Sequence, residues 1–129
     1  MKLTPQTFPE LFELQSIVDE TRGLAKTEVL CTVPCRGHEF PVTAVTFERN
    51  PDPSLPTLAL FGGVHGLERI GAQVVLAYMR TLARYLEWDP SSQALLDEVR
   101  LIFVPIVNPA GVFQETRSNG CLLYTSDAA

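Results

Sequence analysis

Thr57-Leu58-Ala59-Leu60-Phe61-Gly62-Gly63-Val64-His65-Gly66-Leu67-Glu68 is the stretch whose reading decides the fold. Its first five residues form an apolar run without polar alternation, which suits a short strand covered on both faces. The glycines at 62, 63 and 66 end that strand. From Arg69 to Leu86 the periodicity changes: Ile70, Val74, Tyr78, Leu82 and Leu86 recur every four residues. Arg69, Gln73, Arg80 and Arg84 fall on other faces, so this segment is predicted to be an amphipathic helix. Trp88-Asp89-Pro90-Ser91-Ser92 breaks it, and Gln93 to Glu98 reads as a short helix. Val99 to Val104 is the next buried strand; it ends at Pro105 and runs into Val107-Asn108-Pro109-Ala110-Gly111. Strand, loop, helix and strand in that order predict a right-handed βαβ unit, and so an α/β sheet with parallel members.

Upstream, the pattern is different. A helix is expected over Phe8 to Glu20, opened by Thr7 and Glu10 in the relation of a capping box and followed by Gly23. Val29, Cys31 and Val33 then alternate with Leu30 and Thr32, Arg36-Gly37-His38 makes a turn, and Phe40 to Phe47 returns, which together read as a hairpin. Three prolines between Asn50 and Pro56 exclude regular structure there, because each lacks an amide donor and restricts its predecessor.

The 129 residues carry 10 Lys+Arg against 15 Asp+Glu, a net charge of −5. An acidic surface argues against a nucleic-acid backbone or an anionic membrane as partner. With 46% hydrophobic and 19% charged residues, the chain is expected to fold around a core. The N-terminus has no apolar signal-like region and no run approaches a membrane span, so a soluble, cytoplasmic protein is expected. Cys31 and Cys35 are too far apart along a strand to bridge each other, and no disulfide framework is expected.

In open α/β sheets, ligands bind beyond the carboxyl ends of the strands. Two segments leave such ends here, Gly62 to Glu68 and Pro105 to Gly120. His65 and Glu68, spaced i, i+3 where a loop turns into a helix, can both reach one ion. An imidazole nitrogen and a carboxylate are good zinc ligands, and an open catalytic site uses three protein ligands plus water. The glycines permit dihedrals that other residues resist. A competing reading makes Gly62 to Gly66 an anion-binding loop at a helix N-terminus. The chain has neither G-x-G-x-x-G nor G-K-[ST], so a nucleotide cradle has little support.

Gly62-Gly63-Val64-His65-Gly66-Leu67-Glu68 resembles the first zinc-ligand motif of the zinc metallocarboxypeptidases. That broad family includes carboxypeptidase A-like peptidases and the aspartoacylase/succinylglutamate desuccinylase branch. Val104-Pro105-Ile106-Val107-Asn108-Pro109-Ala110-Gly111 resembles the family's next strand and N-P-x-G loop, and Thr116-Arg117-Ser118-Asn119-Gly120 the start of a further motif. The resemblance implies a mixed, mostly parallel sheet with helices on both faces, of which this chain supplies the N-terminal half. It implies zinc (Zn2+) as cofactor, His65 and Glu68 as its first two ligands, and Arg117 as the arginine that stabilises the oxyanion of the scissile carbonyl. Asn108 is assigned a loop-shaping role before Pro109, and His38 a surface position in the hairpin turn.

The implied reaction is hydrolysis of a C-terminal peptide bond by metal-activated water, with deacylation of an N-acyl amino acid as the alternative substrate chemistry. A non-catalytic α/β anion-binding module is the alternative from another class. Leu67 stands where relatives carry arginine or a polar residue, which leaves subsite contacts open. The family's third ligand, a histidine, and its general-base glutamate are expected beyond Gly120. Cys121 to Ala129 shares nothing with the family pattern and reads as a non-native tail, so residues 1–120 are expected to be the N-terminal part of a catalytic domain, inactive by themselves.

Overall fold

The computed structural model describes residues 2–117. Eight elements follow in order: α1 (Pro9–Glu20), β1 (Ala25–Cys35), β2 (His38–Phe47), β3 (Thr57–Phe61), α2 (Ile70–Leu86), α3 (Pro90–Glu98), β4 (Arg100–Val104) and α4 (Pro109–Gln114). The strands form one mixed sheet in the order β1-β2-β4-β3. Among the described residues, no helix is long and apolar enough to cross a membrane. The tail Cys121–Ala129 and the motif residues Ser118, Asn119 and Gly120 lie outside the described residues.

The hairpin closes through Arg36 (φ 49°) and Gly37 (φ 80°), between the paired residues Cys35 and His38. Positive φ at both central positions matches the twist of the flanking strands. A bulge between Val29 and Cys31 shifts the register of β1. β2 then meets β4 antiparallel, with Val45 opposite Phe103. β3 and β4 pair in parallel, with Leu60 beside Phe103, as the strand–helix–strand order requires. The sheet is therefore mixed as expected, with its parallel ladder confined to the βαβ unit and the hairpin adding the antiparallel ones.

Alternation along β4 divides the packing. Leu101 and Phe103 join the main core with Phe47, Val45 and the buried side of α2, while Ile102 and Val104 join a smaller cluster with Val42 and Ala44. Phe8, Phe40 and Phe113 extend the main core towards α1 and α4, with ring centroids 5.0–5.9 Å apart. His38 belongs to this aromatic group: its ring lies 5.6 Å from Phe40 and from Phe113, so it is a half-buried packing residue and not the surface residue expected.

Several local expectations are corrected. β3 is not covered on both faces; it is an edge strand among the described residues, and Leu58 and Phe61 are exposed. Only β4 pairs with it, and Leu60 is its residue packed on the main core. In α2 the expected row divides: Leu82 and Leu86 are buried, Tyr78 is part-exposed with its ring 5.6 Å from that of buried Phe103, and Ile70 and Val74 face solvent, with Ile70 70% exposed. The buried row is Ala72, Val75, Leu76, Met79, Leu82, Ala83 and Leu86. The capping box of α1 does not form: Phe8 is the N-cap, and the Glu10 carboxylate turns instead to Arg69. Asp89-Pro90-Ser91-Ser92, read as a break, starts α3, with Asp89 Oδ2 accepting from the Ser92 amide at 3.0 Å. Cys31 is an exposed free thiol, as its spacing from Cys35 requires.

The position of the buried row is testable. Met79→Ala is expected to lower unfolding free energy by about 2–5 kcal/mol, whereas Val74→Ser should stay within about 0.5 kcal/mol of the parent in urea denaturation. Equal losses would mean that α2 presents its other face to the core.

Candidate metal centre

Three backbone hydrogen bonds, each 2.9 Å, fasten the loop after β3 to the loop after β4. The Gly62 amide donates to Val104 O, the Val107 amide to Gly62 O, and the Asn108 amide to Gly63 O. Gly63 sits at φ +61°, where an L side chain is strained. Gly66 is needed for space: a Cβ there would lie 2.0 Å from the Gly111 carbonyl carbon and 2.2 Å from Thr116 O. The expectation that all three glycines serve dihedral freedom is thus corrected, since only Gly63 among them has positive φ. The loop carrying His65 is pressed against α4 and the segment that leads to Arg117.

His65 and Glu68 are brought together at the carboxyl end of β3. The Glu68 amide donates to His65 O at 3.0 Å, closing a turn that leaves Nδ1 of His65 and Oε2 of Glu68 3.6 Å apart. Their side chains are 25% and 67% exposed, so both retain access to a ligand from solvent. Among the described residues no group of three or more His, Cys, Asp or Glu could hold a metal ion. This pair fits zinc by donor type, one imidazole nitrogen and one carboxylate, and is one donor short of the three protein ligands an open site requires.

Asn108 ties this pair to the second loop. It is buried and caps α4, its Oδ1 accepting from the Gly111 amide at 2.8 Å. Its Nδ2 donates to Val64 O at 3.1 Å and to Arg117 O at 2.8 Å. One amide thus joins the residue before His65 to the candidate oxyanion arginine. The sequence reading gave Asn108 a loop-shaping role; its cross-loop bonds were missed, although Asn before Pro at a helix start is a capping signal. Arg117 itself is exposed, and its backbone is anchored to the His65 loop. Within the segment that follows β4, Pro109–Gln114 form the helix α4.

A second feature escaped the sequence reading. Arg69, which follows Glu68 directly, donates to both carboxylate oxygens of buried Glu10, at 2.8 and 2.5 Å. Gln73 Nε2 adds a bond at 3.2 Å, and Arg69 Nη1 lies 3.6 Å from Glu115. Burial would raise the Glu10 carboxyl, but the hydrogen bonds from Arg69 and Gln73 and the Arg69 charge outweigh it and hold the pKa below the ordinary 4.5. Hydrogen bonding to Glu10 likewise raises Arg69. Fifty-nine residues separate the partners, so no spacing rule finds the pair.

Residues 37–121 match the zinc carboxypeptidase family, which is more than half of the chain. The chain belongs to that family. Among curated relatives of this zinc carboxypeptidase chain, carboxypeptidase SOL1 of Arabidopsis thaliana is 24% identical over 107 residues, covering 81% of this chain and 22% of that protein. Human carboxypeptidase D is 30% identical over 60 residues, covering 46% and 4%. Among solved structures, a metallo-carboxypeptidase from Burkholderia cenocepacia superposes with a TM-score of 0.65 at 22% identity, covering 84% of this chain and 28% of that one. A metallo-carboxypeptidase from Pseudomonas aeruginosa gives 0.55 at 25%, covering 78% and 26%. The chain thus spans about a quarter of the length of carboxypeptidase SOL1 and of the Burkholderia cenocepacia enzyme.

Two outcomes follow from the geometry. Asn108→Ala removes the α4 cap together with the bonds to Val64 O and Arg117 O, and is expected to cost about 1–3 kcal/mol in chemical denaturation; a loss under about 0.5 kcal/mol would deny that it joins the loops. Because the folded pKa of Glu10 is depressed, its stabilisation is present above the unfolded value and is lost as pH falls through the folded one. The melting temperature of Glu10→Gln should therefore lie below that of the parent at pH 7, with the gap closing below about pH 4.5. A gap independent of pH would contradict the ion pair.

Proposed function

We propose that the protein is the N-terminal part of a zinc-dependent metallocarboxypeptidase that releases residues from the C-terminus of peptides. The observation that carries this reading is the 3.6 Å approach of His65 Nδ1 and Glu68 Oε2 at the carboxyl end of β3, in a chain of the zinc carboxypeptidase family. His65 and Glu68 would hold the metal. When bound there, zinc supplies Lewis-acid polarisation of the substrate carbonyl and acidification of water.

The chain's own residues supply positioning. The bonds of Gly62 and Gly63 to the β4 loop fix where the imidazole and the carboxylate project. Asn108 fixes the backbone of Arg117 relative to Val64, and in this reading the Arg117 guanidinium would serve as a donor to developing negative charge. Preorganised donors of this kind lower the barrier because they need no reorientation as the charge forms. The resemblance assigns a third ligand and the general base to sequence beyond Gly120. Hydrolysis is therefore proposed for the longer protein, and zinc binding is the property this chain carries by itself.

Zinc titration followed by calorimetry tests the ligand assignment. The chain should bind one zinc weakly, with His65→Ala and Glu68→Ala each lowering affinity at least tenfold and His38→Ala leaving it unchanged. Retention of parental affinity by both His65→Ala and Glu68→Ala would remove this pair from the site.

A further inference from the structure

The residue after Glu68 has the geometry of a clamp. Arg69 stands at the N-cap of α2, and its guanidinium grips Glu10 of α1 through two hydrogen bonds while Gln73, one helical turn on, holds the same carboxylate. Glu10 is almost fully buried, so without Arg69 its charge would be uncompensated. That makes the contact hard to relinquish and fixes the Arg69 backbone against α1. The other side of the guanidinium faces Glu115 at 3.6 Å. Glu115 ends α4 at φ 58°, a conformation that non-glycine residues rarely adopt, two residues before Arg117. Arg69 therefore touches α1 and the end of α4 while sharing a peptide bond with Glu68.

We propose that Arg69, held by Glu10 and Glu115, is a positioning residue that sets Glu68 and the Arg117 segment relative to His65. The proposal rests on the zinc-site reading above. Partners hydrogen-bonded directly to metal ligands typically change metal affinity 10–100-fold when removed; Arg69 acts one step further out, through the backbone it shares with Glu68, so the low end of that range is expected. Arginine suits the task because its planar fork meets a carboxylate at two points and leaves a further nitrogen for a second acid. A pair that merely joined α1 to α2 would lower the melting temperature without altering metal affinity in folded protein.

The test uses the full 129-residue chain. Zinc alone is titrated by calorimetry at a temperature where circular dichroism shows every variant folded. Hydrogen exchange is measured in parallel on the amides of residues 64–68 and 115–117. Arg69→Met and the near-isosteric Glu10→Gln are expected to weaken zinc binding about tenfold, the low end of the range for groups bonded directly to a ligand, and to raise exchange in both segments together, with the β1–β2 hairpin unchanged. Arg69→Lys should recover part of the affinity, because it keeps the charge and loses the fork. Affinity within threefold of the parent in both Arg69→Met and Glu10→Gln, with unaltered exchange in the two segments, would overturn the proposal. Should Arg69→Met fail to fold, Glu10→Gln decides by the same criteria. His65→Ala separates the two readings: undiminished zinc binding there rejects the zinc site, and the exchange measurement then decides the clamp by itself.

Discussion

The candidate site depends on the backbone hydrogen bonds that Gly62 and Gly63 make with Val104, Val107 and Asn108. They extend the β3–β4 ladder past the ends of both strands, so the loop carrying His65 and the loop carrying Asn108 are placed as one unit. Each such bond contributes only about 1 kcal/mol net, yet leaving a buried member unpaired costs about 1–3 kcal/mol. Neither loop can therefore move without the other. The close approach at Gly66 imposes the same condition from the far side, since no side chain fits between it and Gly111.

On this base the polar side chains act in sequence. Asn108 uses one amide to cap α4 and to hold two carbonyls, one on each loop, and so ties the backbone at Val64, next to His65, to the backbone at Arg117. Arg69 brings in α1, a helix that supplies no candidate ligand, through an ion pair to a buried carboxylate. The arrangement places exposed, ligand-ready groups on a support of buried and satisfied ones. Among the described residues no buried side-chain nitrogen or oxygen lacks a partner.

How much of this the sequence made legible depends on range. The strand–helix–strand unit, the hairpin and the His65–Glu68 pair were readable because each rests on local period or on a spacing of three. The α2 surface was misread because Ile70, Val74 and Tyr78 match a helical row as well as Val75, Leu76 and Met79 do, and tertiary packing chooses between them. The Thr7–Glu10 box was misread because a local cap competes with a partner that lies next to Glu68, far along the chain. β3 reads as a fully covered strand, while four of its five residues are exposed. Cross-loop bonds such as those of Asn108 have no period at all. They become visible only when the fold brings Val64 and Arg117 to the same amide.

The central claim, that His65 and Glu68 are metal ligands, is tested most directly by X-ray absorption at the zinc edge on the chain loaded with less than one equivalent of zinc. The account predicts a shell of nitrogen and oxygen at about 2.0–2.2 Å that includes one imidazole, whose outer-shell scattering disappears in His65→Ala. A shell without imidazole, or a spectrum unchanged by His65→Ala, would contradict it.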